Sequence, residues 1–287
     1  MLHLLITGGS GYLGAELVRQ AAQTGLCRVS ATYHCRQPLL SGAALLPLDL
    51  RDPDAPGRLL DALRPDLVIH TAYVQSGPDL EAVTAAGAGA VAQAARRAGA
   101  RLVHLSSDAL LDGERPGRYP DDAPARPLNP YGAAKAAAEE LVARAHPEAL
   151  IVRTSLIYGG AEPSPHERLV LEALGGRADV SFFSDEIRCP VQVTDLALAL
   201  LELAAQPVQG LLNVAGADAV SRYEFACLIA ASRGRDPRTL RAGLSAGSGL
   251  RRPRNCALES AVAQARLQTR LRGVREVLGV AQRAEEA

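Results

Sequence analysis

Apolar and polar positions alternate along this chain in two registers. Leu2 to Thr7, Cys27 to Tyr33, Ala44 to Leu48, Leu67 to Thr71, Arg101 to Ser106 and Ala149 to Thr154 are short, nearly continuous apolar runs. Their length and character predict strands buried on both faces. Between them the apolar spacing is helical: Ala15 to about Thr24 before Gly25, Ala55 to Leu63, and the Ala-rich Leu80 to Ala98 before Gly99. Strand and helix in alternation predict an α/β fold with a doubly wound parallel sheet, whose ligands bind at the carboxyl ends of the strands. Beyond Tyr158 the alternation breaks down. A loop (Gly159 to Pro165), a short helix (Glu167 to Leu174) and a strand (Val180 to Ser184) precede a helix over Thr194 to Ala205, a last core strand over Leu211 to Ala215, and a helix from Ser221 to about Ala231. Ser221 and Glu224 have the spacing of a capping box.

The first strand runs straight into Gly8-Gly9-Ser10-Gly11-Tyr12-Leu13-Gly14. Glycines at 8, 11 and 14 allow a tight turn and close backbone approach, so a pyrophosphate can sit on the free amides of the following helix. That makes the sheet Rossmann-type, with residues 1–157 and 190–217 as the NAD(P)-binding domain and 158–189 with 218–287 as a smaller C-terminal substrate-binding lobe. The second strand ends in Tyr33-His34-Cys35-Arg36, with no carboxylate to bond ribose hydroxyls and with Arg36 available to a 2′-phosphate. NADP(H) is therefore the expected cofactor, and NAD(H) the alternative.

Asn129-Pro130 begins another helix, expected to reach about Arg144, because Asn is a favoured N-cap and Pro suits the first helical position. Tyr131 and Lys135 then share one face. An ammonium beside a tyrosine favours the phenolate and lowers the pKa of the hydroxyl. Lys135 is the only lysine in the chain, every other cation being arginine, and arginine cannot supply a compact charge with an adjustable pKa. Residues 112–130, rich in Pro, Gly and Asp, are expected to form a surface excursion ahead of this helix.

With 287 residues, 48% of them hydrophobic, the chain can bury a large core. Lys plus Arg and Asp plus Glu both number 31, so no global field favours nucleic acid or an anionic membrane, and a small-molecule partner is expected. Five scattered cysteines without a Cys-x-x-Cys pair, and no signal peptide or membrane-spanning run, suit reduced thiols in a cytoplasm. Arginines far outnumber acids from Arg233 onward, which fits either an anionic substrate such as a nucleotide diphosphate or a solvated basic face. His70 has no second ligand at a recognisable spacing, and no metal site is expected.

Gly8 to Gly14, Ser107, and Tyr131 with Lys135 together resemble the extended short-chain dehydrogenase/reductases. The likeness is closer to their dTDP-4-dehydrorhamnose reductase branch through Leu105-Ser106-Ser107-Asp108, Asp112-Gly113, Arg153-Thr154-Ser155, Tyr158-Gly159 and Arg252-Pro253-Arg254-Asn255-Cys256. The resemblance implies that Ser107 holds a substrate carbonyl oxygen, Tyr131 donates the proton, and Lys135 binds the nicotinamide ribose and depresses the tyrosine pKa. It also implies a cofactor bed made from Gly8, Ser10, Gly11, Tyr12, Leu13 and Gly14, from Asp49 and Leu50 around the adenine, from Thr71, Ala72 and Tyr73 along the cofactor, and from Ser155. Cys189, before Pro190, is expected in the pocket wall.

The implied reaction is reduction of a keto group on a nucleotide-activated deoxysugar. Ala109 and Leu156 stand where the branch carries aromatics, Arg222 where a tryptophan is common, and His70 and Thr84 where it carries asparagines. These departures leave open another nucleotide sugar or carbonyl substrate. A non-catalytic NADP-binding regulatory subunit is a further alternative, and a homodimer is an assembly to be tested.

Overall fold

In the computed structural model, which describes residues 1–25, 27–249 and 251–279, a seven-stranded parallel sheet forms the centre. Its strands are β1 (Leu2–Thr7), β2 (Cys27–Tyr33), β3 (Ala44–Pro47), β4 (Leu67–His70), β5 (Arg101–Ser107), β6 (Leu150–Thr154) and β7 (Gly210–Asn213), in the order β7-β6-β5-β4-β1-β2-β3. The order reverses beside β1, where Leu4 pairs with Val29 of β2 on one side and with Leu67 of β4 on the other. A crevice opens at such a switch point.

The two-residue period of the strands divides the core between the two faces of the sheet. Leu4, Ile6, Val103, Leu105, Leu150 and Val152 turn to the face covered by α1 (Tyr12–Thr24) and, later in the chain, a helix over Val193–Ala204. Leu5, Leu102 and Ile151 turn to the other face, under α2 (Ala55–Leu63), α3 (Gly87–Ala98) and α4 (Pro130–Ala145). A third apolar cluster joins α5 (Pro165–Leu174) to a helix over Arg222–Ser232, where Tyr158 and Phe225 meet edge-on at 5.3 Å. The Val193–Ala204 and Arg222–Ser232 helices are α6 and α7, and α8 (Ala261–Arg266) and α9 (Val274–Val277) follow them. The expected final helical region extends to residues 280–287, which lie outside the described residues.

Four local expectations are revised. The Leu80 to Ala98 helix opens as a π-helical stretch over Glu81–Ala86, where the Thr84 hydroxyl both donates to the Val74 carbonyl (2.8 Å) and accepts from its amide (3.1 Å). Helix α1 begins at Tyr12, three residues early, because the Gly11 amide closes the turn on the Gly8 carbonyl at 2.9 Å. At α7 the capping box forms only in part: Ser221 accepts from the Glu224 amide at 2.9 Å, but the Glu224 carboxylate pairs with Arg275. A complete box caps α5, through Ser164 and Glu167.

The fourth revision is the excursion over residues 112–130, which is pinned down rather than free on the surface. Tyr119 and Ala123 are buried, the Tyr119 amide donates to the Ala257 carbonyl (2.7 Å), and Asn213 donates to the Tyr119 carbonyl (2.9 Å). Buried main-chain groups need such partners. Among the described residues no helix is long and apolar enough to cross a membrane.

Candidate active site

The glycine turn brings α1 close to the sheet. Gly8 has φ +76°, and its amide and that of Gly9 donate to Thr32 at the end of β2 (3.1 and 2.7 Å). A Cβ on Gly14 would lie 2.1 Å from the Gly8 carbonyl oxygen, so only glycine permits this approach. No side chain caps the N-terminus of α1, and Gly11, Tyr12, Leu13 and Gly14 line the cleft there. Uncapped amides with the positive end of a thirteen-residue helix behind them make a ready anion site, and the cradle fits a dinucleotide pyrophosphate.

The cleft has a volume of about 1070 Å³. One wall comes from the ends of β4 and β5 and from α4. The Asn129 side chain caps α4 by accepting from the Gly132 amide (2.8 Å), with Pro130 at the first helical position. This start turns Tyr131 and Lys135 toward Ser107 at the end of β5, and all three line the cleft. Ser107 accepts from the Ala109 amide (3.2 Å), which fixes its hydroxyl at the strand end. Asp108 is buried, accepts from Ser155 (2.6 Å) and lies 3.7 Å from Arg188, while burial raises its pKa.

Lys135 is 3% exposed and donates to the Leu105 carbonyl (2.8 Å), with its ammonium 5.0 Å from the centre of the Tyr73 ring. Burial lowers its pKa to about 8, against the pull of Glu139. The tyrosine departs from expectation. The pKa of Tyr131 is raised, first by burial and then by Tyr73, whose ring lies 5.8 Å away; a hydrogen bond with Ser107 opposes the shift. Burial therefore outweighs the lowering expected from Lys135, whose ammonium is bonded to the Leu105 carbonyl.

Of the other expected cofactor residues, Thr71, Tyr73 and Ser155 also line the cleft. Ala72 backs onto Gly8, and Ser10 is exposed on the turn. Leu50 is buried in the core and packs against Gly87. Asp49 is gripped by Arg51, and Arg36 is exposed past the end of β2. Cys189 does not line the cleft: it is buried behind it, where Arg118 donates to its sulfur at 3.3 Å and burial raises the thiol pKa.

The opposite wall is built around Glu186 and Arg188, which sequence reasoning did not single out, together with Arg222 and Arg252, which entered only through the family resemblance. Glu186, fully buried, pairs with Arg252 and lies 3.9 Å from Arg188, which also donates to the Pro253 and Arg254 carbonyls (3.0 and 3.1 Å). Arg222, in the first turn of α7, makes no salt bridge among the described residues, and Glu186 and Asp108 act on it only from a greater distance. Burial and the neighbouring Arg188 lower its pKa to about 10. Arg188, Arg222, Arg251 and Arg252 against Glu186 and Asp108 leave this wall cationic. The Arg252 motif and the Arg222 departure marked two of these positions in the sequence, and the arginine excess late in the chain was the sign of their charge.

Residues 2–284 match the family described as the RmlD substrate binding domain. The dTDP-4-dehydrorhamnose reductase of Mycobacterium tuberculosis (strain CDC 1551 / Oshkosh) is 32% identical over 250 residues, covering 83% of this chain and 78% of that protein. The chain belongs to this family. Its relatives carry more than one name: methionine adenosyltransferase 2 subunit beta of Rattus norvegicus is 29% identical over 247 residues, 79% of this chain and 71% of that one. The crystal structure of the Bacillus anthracis dTDP-4-dehydrorhamnose reductase in complex with NADP has the same fold, with a TM-score of 0.80 at 24% identity over 98% of both chains. Ala109, Leu156 and Arg222, where this sequence leaves the pattern of the reductase branch, all line the cleft.

Proposed function

We propose that this protein is an NADPH-preferring reductase of a keto group on a nucleotide-activated deoxysugar, in the manner of its dTDP-4-dehydrorhamnose reductase relatives. The observation that carries the reading is one cleft with Ser107, Tyr131 and Lys135 on one wall and unneutralised guanidinium groups on the other. A partly buried arginine without a counter-ion is costly, and a bound diphosphate removes that cost.

When bound, the reduced nicotinamide supplies hydride to the carbonyl carbon. The glycine turn would hold the pyrophosphate and Lys135 the nicotinamide ribose. Ser107 would donate to the carbonyl oxygen as its charge develops, which stabilises the transition state more than the ground state. Tyr131, kept protonated at neutral pH by burial, would give its proton to that oxygen. NAD(H) is the weaker alternative cofactor. The division into a dinucleotide domain and a substrate lobe, residence in a cytoplasm and a homodimer belong to the same proposal, and the five free thiols are compatible with it.

The test is NADPH oxidation with dTDP-4-dehydro-L-rhamnose, run beside Tyr131→Phe. Turnover in the wild type that is lost in the variant supports the reductase and its acid. If NADPH binds but no turnover occurs, dTDP-4-dehydrorhamnose is not the substrate, and a panel of nucleotide-linked ketosugars replaces it. The regulatory reading, suggested by the methionine adenosyltransferase relative, requires Tyr131→Phe to leave function in cells unchanged.

A further inference from the structure

The end of β2 and the segment after β3 meet beside the glycine turn. The Leu48 amide donates to the Tyr33 carbonyl (2.8 Å), so Asp49, Leu50 and Arg51 run alongside His34, while Thr32, two residues earlier, anchors Gly8 and Gly9. In a doubly wound sheet with a pyrophosphate on the first helix, the adenosine ribose lies over the carboxyl end of the second strand. Whatever stands there meets the ribose 2′ position.

Arg51 stands there with its guanidinium already aimed. Its Nε and Nη2 donate to both carboxylate oxygens of Asp49 (3.0, 3.2 and 2.7 Å), and Nη2 lies 3.2 Å from His34 Nε2. Only Nη1 is loosely engaged, at 3.4 Å from Asp79 Oδ2. That carboxylate stands about where a phosphate oxygen could replace it. Asp49 also needs Arg51: with the arginine removed, a bare carboxylate would face the ribose and repel a phosphate.

We propose that Arg51, oriented by Asp49 and flanked by His34, is the residue that recognises the 2′-phosphate of NADPH, with Asp79 as the internal anion that the phosphate displaces. This rests on the dinucleotide-binding reading above. It moves the main determinant of cofactor choice from Arg36, which is exposed on a bend, to a guanidinium fixed by side chains from three segments. A planar fork held in place loses less freedom on binding than a free arginine.

The test is direct binding of NADPH and NADH, by nicotinamide fluorescence and calorimetry, to the wild type, Arg51→Ala, Arg51→Lys and Asp79→Asn, with melting temperature as the control for folding. 2′,5′-ADP and 5′-AMP serve as fragments that report the phosphate alone. A lost charge-assisted bond corresponds to a loss of about 10- to 100-fold. Arg51→Ala is expected to weaken NADPH and 2′,5′-ADP by that factor while NADH and 5′-AMP change less than about threefold, with Arg51→Lys intermediate. Asp79→Asn is expected to tighten NADPH and leave NADH unchanged. Equal losses for the two dinucleotides, or no change in their ratio, overturn the proposal and leave the reductase reading intact. Failure of both dinucleotides to bind the wild type overturns both readings.

Discussion

Two histidines lie buried beneath Lys135, and they tie the stability of the fold to pH. His70 and His104, each 1% exposed, stack across β4 and β5 with ring centroids 5.2 Å apart and planes at 26°. His70 Nδ1 meets the Thr7 hydroxyl at 2.5 Å, while His70 Nε2 and both nitrogens of His104 have no partner among the described residues. Burial, followed by the Lys135 charge, lowers the His70 pKa to about 3; the same causes, with His70 added, hold His104 well below its ordinary value. Both are therefore neutral in the folded protein, whereas in the unfolded chain each takes up a proton near pH 6.5. Between those limits the unfolded state binds more protons, so stability rises with pH and is lost as pH falls below about 6.5.

At pH 5 the linkage depends almost entirely on the unfolded value, because His70 at about 3 and His104, held well below its ordinary value, both stay neutral in the fold. Each histidine then costs about 2 kcal/mol between pH 7 and pH 5, and the pair about 4 kcal/mol. Urea unfolding followed by circular dichroism at both pH values measures the loss. His3, also buried and with a lowered pKa, adds to it, so the informative quantity is wild type against His104→Leu or His70→Asn. Each substitution should remove about 2 kcal/mol of the pH-dependent loss. His104→Leu should also be no less stable than the wild type at pH 7, since it deletes two unpartnered buried nitrogens. An unchanged loss on going to pH 5 in His104→Leu would refute the reasoning.

Other consequences are equally concrete. Gly14→Ala places a methyl 2.1 Å from the Gly8 carbonyl, so the turn must shift, and dinucleotide affinity measured by fluorescence should fall at least about tenfold. Arg153 and Glu139 form a buried bidentate pair (2.9 and 2.7 Å) that also ties in Ser106 (2.6 Å). Arg153→Met strands the carboxylate and should cost about 3 to 5 kcal/mol in chemical denaturation, with part recovered in the double variant Arg153→Met, Glu139→Leu. With Lys135 at about 8 in the free protein, kcat/KM for ketosugar reduction should decline as pH rises through that value. Lys135→Arg should lower kcat by about 100-fold or more, because a planar fork cannot occupy the niche between Leu105 and Tyr73.

What the sequence revealed depended on how local the physics was. Strands β1 to β6, the Gly25 and Gly99 helix ends and the Asn129-Pro130 start were all legible, because each follows from neighbours within a few residues. Ser107 and Tyr131 converge because one ends a strand and the other opens the next helix. The cationic wall was hidden for the opposite reason. Glu186 and Arg188 stand two residues apart, but Arg252 is 66 residues from Glu186, and nothing local brings it to them. The excursion over residues 112–130 looked like free surface by composition, and only its contacts with Ala257 and Asn213 pin it.

The least local quantity is the acidity of Tyr131. Four-residue spacing on α4 correctly brings Lys135 to the same wall, yet spacing says nothing of where an ammonium points or how dry its surroundings are. Burial raises the tyrosine and lowers the lysine, which moves their pKa values apart, each in the direction that favours its neutral form. A proton donor in a reduction must first hold its proton, and burial guarantees that. The energetic difficulty falls on the phenolate left behind, which is expensive in a dry site unless a cation is at hand. Lys135 is the buried cation on that wall, held by a carbonyl and a ring face that hold it less strongly than a carboxylate would. In the proposed reduction its charge would be worth most at the moment Tyr131 gave up its proton, which is where transition-state stabilisation would be gained.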